Sequence, residues 1–445
     1  MKFNVFLTSI PIILGSIFCT ITAIIINPEI FTSFFSTSPT KLFMDVEHYS
    51  NMVMYGYSHL VVHPSCNAFY PLWPWLIRTL VKPQTVDEAA FYFRIFSSLL
   101  SLVSIPLFLL LLKQNIKSYK IAFLTVALYA ISPLSVFRMI GYTESIFSIL
   151  SLILLILLTQ LKRISKTSVK SIILLTSVFL LSLLLSLTRP FLFQAIFASI
   201  MALVSIIVID RLQKNSTPID LKFYSIVSFI ICLGALIGYC IYGYSCIEFR
   251  GDFFAPFHDQ KLWGKQLGFY PQVFLIPVKF ADFTSIYLPI IALIISILIC
   301  ISTNIKKIIF IAPKLWQWIL LFAYPPAFLA FYSLDLKKAN FSKKSINSED
   351  INLTQGAKNI SSSYVFWFCM YFALIHCIGV FLTDPYIASI RRYIFGSPYF
   401  FLVIAYISQC FPTRKVSKLL LWVLGASGVL LIQYWIDYSK DRWIG

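Results

Sequence analysis

Eleven apolar stretches divide the chain, near 3–26, 95–112, 119–137, 142–161, 171–188, 191–209, 223–243, 284–304, 364–382, 393–411 and 418–436. Each approaches the ~20 residues that an α-helix needs to cross ~30 Å of hydrocarbon. In lipid every backbone N–H and C=O must find a partner within the protein, and a helix satisfies that condition internally. The expected fold is therefore an all-α polytopic membrane protein of roughly 11–12 transmembrane helices, forming a single membrane domain over 1–445. Composition agrees, because only 12% of the 445 residues are charged, against about a quarter in soluble domains. Gly is scarce at 15 copies beside 42 Phe and 24 Tyr. No Walker or dinucleotide motif occurs, so no cofactor is expected.

The 36 Lys and Arg exceed the 18 Asp and Glu, for a net charge of +18. In a soluble protein that excess would suggest a nucleic-acid partner. Here it marks cytoplasmic loops, and no nucleic acid is expected. The run Phe3 to Ile26, preceded by Lys2, is long enough to be a retained first span rather than a cleaved signal, which puts the N-terminus inside. The loops Lys113–Lys120, Lys162–Lys170 and Asp210–Lys222 are then internal and carry ten basic residues against two acids. The same alternation places 27–92 and 244–283 outside, where nine of the eighteen acids lie.

The segment 308–334 interrupts this count as either a further span or a re-entrant hairpin. The basic loops 335–363 and Arg414–Lys418 favour the hairpin with both of them inside, which leaves Arg391 and Arg392 outside. The Ser/Asn/Lys content of 335–363 reads as a disordered loop, and no internal repeat is evident. Seven of the nine cysteines sit in apolar runs as small buried hydrophobes. Cys66 and Cys246 lie in polar loops, either as free thiols or as a disulfide if both face an oxidising compartment.

The outer loop 27–92 is too long for a plain connector and should be structured. Within it Leu42, Val46, Tyr49, Val53 and Met54 fall at helical spacing, which suits a helix in the interface plane ended by Gly56. Asp45 near its start either caps the helix or, ionised, accepts a proton from a sugar hydroxyl. The run Ala68 to Trp75 is an interfacial aromatic belt or a platform for a sugar ring or prenyl chain. His59 and His63 share a helical face but have no third ligand at a convincing spacing, so no metal is expected.

Arg138, Arg189 and Arg392 lie in outer turns against the positive-inside trend, as a phosphate-holding set or as cations snorkelling to lipid headgroups. Glu144 sits in the same turn as Arg138. In the second outer loop Trp263 offers a stacking face, with Asp252 or Gln260 as hydroxyl partners.

Taken in order, Asp45…His48-Tyr49…Gly56-Tyr57, Phe69-Tyr70-Pro71-Leu72-Trp73-Pro74, Ser132-Pro133…Tyr142-Thr143-Glu144-Ser145, Gly251-Asp252…Gln260…Trp263-Gly264 and Arg392-Tyr393 resemble the PIG-V family of mannosyltransferases. The resemblance runs along most of the chain. It implies a GT-C-type glycosyltransferase that takes mannose from a dolichyl- or polyprenyl-phosphate donor to a lipid-linked glycan acceptor, as in addition of the second mannose of a GPI anchor. It further implies Asp45 as general base in an inverting reaction and a substrate-binding set of His48, Tyr142, Glu144, Arg189, Asp252, Gln260, Trp263 and Arg392. The partners it implies are the two lipid substrates, the bilayer and a small membrane subunit. The membrane would be that of the endoplasmic reticulum in a eukaryote or the inner membrane in a bacterium. Met44 departs from the family, where a Trp usually precedes the first-loop Asp. Two rival readings are a GT-C enzyme with another lipid or protein acceptor and a transporter or flippase. The transporter should carry ionisable groups or broken helices at mid-span in repeated halves.

Overall fold

Continuous apolar runs dictate helices, and the described part of the computed structural model contains helices and no strand. It describes residues 2–35, 45–57, 64–162, 168–213, 221–274, 280–304, 313–314, 316–317, 319–320, 325–342, 350–383, 390–440 and 442. Lys41, Leu42, Met44, His59 and His63 lie outside the described residues. Nine helices among them are long and apolar enough to cross a membrane. These are α1 (Lys2–Ile26), α5 (Val86–Asn115), α7 (Glu144–Leu161), α8 (Val169–Thr188), α9 (Leu192–Gln213), α10 (Leu221–Arg250), α12 (Phe280–Asn304), α15 (Tyr364–Thr383) and α18 (Thr413–Ser439). Large apolar side chains such as Phe18, Ile25, Phe229 and Trp422 stand exposed on them. A lipid-facing surface accounts for such a pattern, which water would not tolerate over a whole bundle. The chain is a multi-pass, all-helical membrane protein.

Two of the eleven expected spans come out shorter. α6 (Tyr119–Ala130) ends where Ser132-Pro133 opens a 3-10 turn over Pro133–Arg138, and α17 (Tyr399–Ser408) starts only after Pro398 separates it from α16 (Ile390–Phe395). Proline removes a backbone donor and blocks the preceding turn, which a hydropathy count does not register. The polar segment 335–363 also differs from the expected disordered loop. α13 (Pro325–Ser342) and α14 (Asp350–Ser361) occupy its two ends, and 343–349 lies outside the described residues.

Contacts between neighbouring helices run in a closed circuit through α1, α18, α6, α17, α15, α9, α10, α8, α7, α5 and back to α1, with α12 packed against α15, α16 and α17. The closest approach is between α8 and α10. A Cβ added at Gly234 or Gly238 would stand 2.4 Å from the carbonyl oxygens of Phe179 and Leu183. Paired small residues four apart let the two backbones meet, as in other membrane helix pairs.

The helix ends sort onto two sides. Asn27 Nδ2 donates to Ser439 Oγ at 2.7 Å, joining the C-terminal ends of α1 and α18. On the other side Lys117 N donates to Gln409 Oε1 at 3.2 Å and Lys162 Nζ to the Ser362 carbonyl at 3.3 Å. The second side carries Lys113, Lys117, Lys120, Lys162, Lys170 and Lys358, and the first carries Glu29, Asp45, Glu47, Asp87, Glu88 and Asp252. The first side also holds Arg78, Lys82, Arg250, Lys261 and Lys265, and the two sides are called inner and outer after the positive-inside expectation. α12 ends and α15 begins on the inner side, so the chain between them returns to the side it left. Lys314 Nζ at 3.1 Å and Gln317 Nε2 at 2.9 Å both reach Asp335 Oδ2, folding this stretch back on α13. Residues 308–312, 315, 318 and 321–324 lie outside the described residues, and the contacts to Asp335 are what the described part of 308–334 shows.

The first outer loop is structured, with α2 (Glu29–Phe35), α3 (Asp45–Tyr55), a 3-10 turn over Pro64–Ala68 and α4 (Leu72–Leu80). Gly56, at φ +74°, ends α3 as expected. α3 is not simply laid on an interface: Val46, Tyr49, Met52 and Val53 are buried, and it packs on α4 and α5. The turn before α7 depends on Gly141, at φ +103°, where a Cβ would sit 3.1 Å from Phe93 Cβ and 3.2 Å from Val46 Cγ2. Its carbonyl accepts from Trp73 Nε1 at 3.0 Å. Gly141→Ala is expected to cost about 1–3 kcal/mol through backbone strain. Gly56→Ala, with nothing within 4 Å of its added Cβ, should cost less. Melting temperatures of the two purified variants measure the difference.

Candidate functional site

Four ionised side chains from distant parts of the sequence meet at the outer helix ends. Asp45 opens α3, Glu144 opens α7, Arg189 closes α8 where Pro190 forbids another turn, and Arg392 lies on the short α16. Arg392 Nη2 donates to Asp45 Oδ2 at 2.7 Å, and its Nε donates to Glu144 Oε1. Arg189 Nη2 reaches the same Glu144 oxygen at 3.1 Å. Glu144 is fully buried, whereas the Asp45 side chain keeps 12% of its surface. Among the described residues Asp45 Oδ1 has no hydrogen-bond partner. Burial disfavours the Arg392 charge, but the Glu144 and Asp45 carboxylates more than restore it and hold its guanidinium well above the ordinary range.

Aromatic rings wall the cluster. The Arg392 guanidinium lies 4.7 Å from the Tyr142 ring centre and 5.3 Å from that of Phe137. Tyr393 faces three cations, with Arg189 at 5.0 Å, Lys265 at 5.7 Å and Arg392 at 6.0 Å from its ring centre. Lys265 is the largest influence on its phenol, which is held below its usual range despite burial. His376 stacks on the same ring at 5.5 Å. Lys265 arrives there because the second outer loop is hydrogen-bonded to the end of α15, through Gln266 N to Thr383 O at 2.8 Å, Gly268 N to Leu382 O at 2.9 Å and Tyr270 N to Phe381 O at 3.0 Å.

The structure thus brings Asp45, Tyr142, Glu144, Arg189 and Arg392 together. His48 and Trp263 form a second group, in which the His48 ring stacks on Phe69 at 5.3 Å and meets Trp263 edge-on at 5.6 Å. Trp263 remains 43% exposed, as a stacking platform must. Asn67 Nδ2 donates to Asp259 Oδ2 at 2.7 Å, pinning the two outer loops to each other. Asp252 and Gln260 serve their own loop instead. Asp252 pairs with His258 at 2.7 Å, which lowers its pKa, and accepts from Phe254 N at 2.8 Å, while Gln260 Nε2 reaches only the Pro256 carbonyl at 3.4 Å.

One further expectation is corrected by the geometry. Arg138 is 1% exposed, donates to the Tyr129 carbonyl and lies 3.7 Å from the centre of the Tyr129 ring, so it belongs to the core rather than to a phosphate site. Arg391 turns to Tyr434 on α18. Cys66 and Cys246 are free thiols, and Cys66 Sγ lies 3.4 Å from His48 Nδ1. Among the described residues no three His, Cys, Asp or Glu side chains converge as a metal site.

Sequence reasoning missed Lys265, Tyr393 and His376 as members of the site. Tyr393 stood in the Arg392-Tyr393 pair of the resemblance but was given no role, and Lys265 carried a positive charge in an acid-rich outer loop. The class that fold and site together define is a polytopic helical membrane protein with a buried four-charge cluster at its outer end. No family model, no curated protein and no solved structure matches the chain.

Proposed function

We propose that this protein is a GT-C-type glycosyltransferase that moves mannose from a dolichyl- or polyprenyl-phosphate donor to a lipid-linked glycan acceptor at the outer face. The observation that carries the reading is the pairing of one partly accessible carboxylate, Asp45, with a buried arginine that fixes its orientation. Asp45 Oδ1 takes the proton of the acceptor hydroxyl as that oxygen attacks the anomeric carbon. The bond from the anomeric carbon to the phosphate oxygen breaks with its electron pair, the configuration inverts and the lipid phosphate leaves.

The leaving group gains negative charge and needs fixed positive charge nearby. Charge accounting assigns that role. Among the described residues Asp45 and Glu144 cancel Arg392 and Arg189, and Lys265 remains as the surplus cation beside Tyr393. Lys265 is therefore the phosphate-holding cation, and Arg392 is a positioning residue for Asp45. His48, Phe69 and Trp263 supply the sugar-stacking wall. The cluster's position at helix ends, rather than at mid-span between repeated halves, favours the enzyme over the transporter.

The deciding experiment follows labelled mannose from dolichyl-phosphate mannose in membranes carrying the protein, with a mono-mannosylated GPI precursor and total lipid extract as acceptors. Label on the GPI precursor supports the full reading, and label on another lipid retains the enzyme class and discards the GPI assignment. Absence of transfer to any acceptor from any polyprenyl-phosphate sugar would remove the proposal. Lys265→Ala is expected to raise the KM for the donor about 10-fold or more, the worth of one charge-assisted contact, while the acceptor KM stays unchanged.

A further inference from the structure

The inner end of the bundle holds a cavity of about 280 Å³, between the ends of α5, α7, α10, α15 and α17. Its floor is a chain of polar groups. Asn115 Nδ2 donates to Thr159 Oγ1 at 3.2 Å, the Tyr406 hydroxyl donates to Asn115 Oδ1 at 2.8 Å, and Ser363 Oγ lies 3.0 Å from the same hydroxyl. Lys162 stands exposed at the mouth, and among the described residues no carboxylate lines the space. Lys162 already donates to the Ser362 carbonyl, but an ammonium has three donors and can serve a second acceptor.

From this we infer a binding site for the headgroup of an anionic phospholipid of the inner leaflet, with the phosphodiester on Lys162 and the headgroup hydroxyls over the Asn115–Tyr406–Ser363 floor. Three features point there. The volume falls just under the ~300–1,000 Å³ of small-molecule pockets and suits a headgroup rather than a whole organic ligand. The lining offers one cation and many hydroxyls and amides, which match a phosphate carrying a polyol. The cavity also lies at the end of the bundle that carries Lys113, Lys117, Lys120 and Lys170, and basic pockets between helices on the cytoplasmic side are where such headgroups dock. A lipid held there would tie α7 to α15 at the end opposite the charged cluster. The inference stands independently of the transferase reading, since it concerns other residues and its test measures no activity.

The test is native mass spectrometry of the purified full-length protein in detergent, titrated with phosphatidylglycerol or with phosphatidylcholine of the same chains. Phosphatidylglycerol should be retained at about 10-fold lower concentration than phosphatidylcholine, the effect of one charge-assisted contact. Lys162→Ala should erase that preference, and Tyr406→Phe, which keeps the lysine, should reduce it. Lys358→Ala, at an exposed inner-side lysine outside the cavity lining, should leave it intact. Equal retention of the two lipids would overturn the proposal, as would a loss on Lys358→Ala equal to that on Lys162→Ala. Displacement of the lipid by millimolar inorganic phosphate would reassign the cavity to a soluble anion and overturn it as well.

Discussion

Asp45→Asn is expected to lower mannose transfer by about 10²–10⁴-fold, the range over which a positioned general base contributes, while the purified protein melts close to the wild type. Asparagine keeps an oxygen for Arg392 Nη2 at the position of the 2.7 Å contact, and Arg392 retains Glu144 as counter-ion. What is lost is an oxygen that can take a proton. Glu47, on the exposed side of α3, is the control: Glu47→Gln should transfer mannose normally. The pair of assays in membranes separates the base from general acidity of the helix. Turnover in Asp45→Asn equal to the wild type would sink the assignment.

Glu144→Ala should act on stability rather than on chemistry alone. Its Oε1 accepts from both Arg189 and Arg392, and it is wholly buried. Removing it leaves Arg392 with Asp45 alone and takes from Arg189 the carboxylate it pairs with, and stranding a buried charge costs about 3–5 kcal/mol. A large fall in melting temperature and in yield of folded protein is the expected result. The burial difference also decides which acid is the base, because Glu144 has no surface to offer a substrate and Asp45 does. A Glu144→Ala variant that melts with the wild type but transfers no sugar would reverse these two roles.

Much of the frame was legible in the sequence. The nine long spans coincide with nine of the eleven apolar runs, and α3 stops at Gly56 as expected. The two shortened helices were misjudged because Pro133 and Pro398 break backbone hydrogen bonding without lowering hydropathy. The helices at the ends of 335–363 were missed because composition measures solubility and not local helix formation. In the site, Asp45, Glu144, Arg189 and Arg392 were each singled out, but Arg138 looked equivalent to them until packing placed it against Tyr129. Asp252 and Gln260 looked like ligands until His258 and Pro256 took them up.

The sequence by itself determined that the chain crosses a membrane repeatedly and which residues are chemically able to form a site. Those properties are sums of local transfer free energies and loop charges, and they need no knowledge of neighbours. Only the tertiary structure decided that Asp45 pairs with Arg392 across 347 positions, that Glu144 is shared by two arginines, and that Lys265 stands beside Tyr393. Such pairings depend on which helix ends packing brings within a few ångströms, and the energy of a charge pair falls with separation in space, not along the chain.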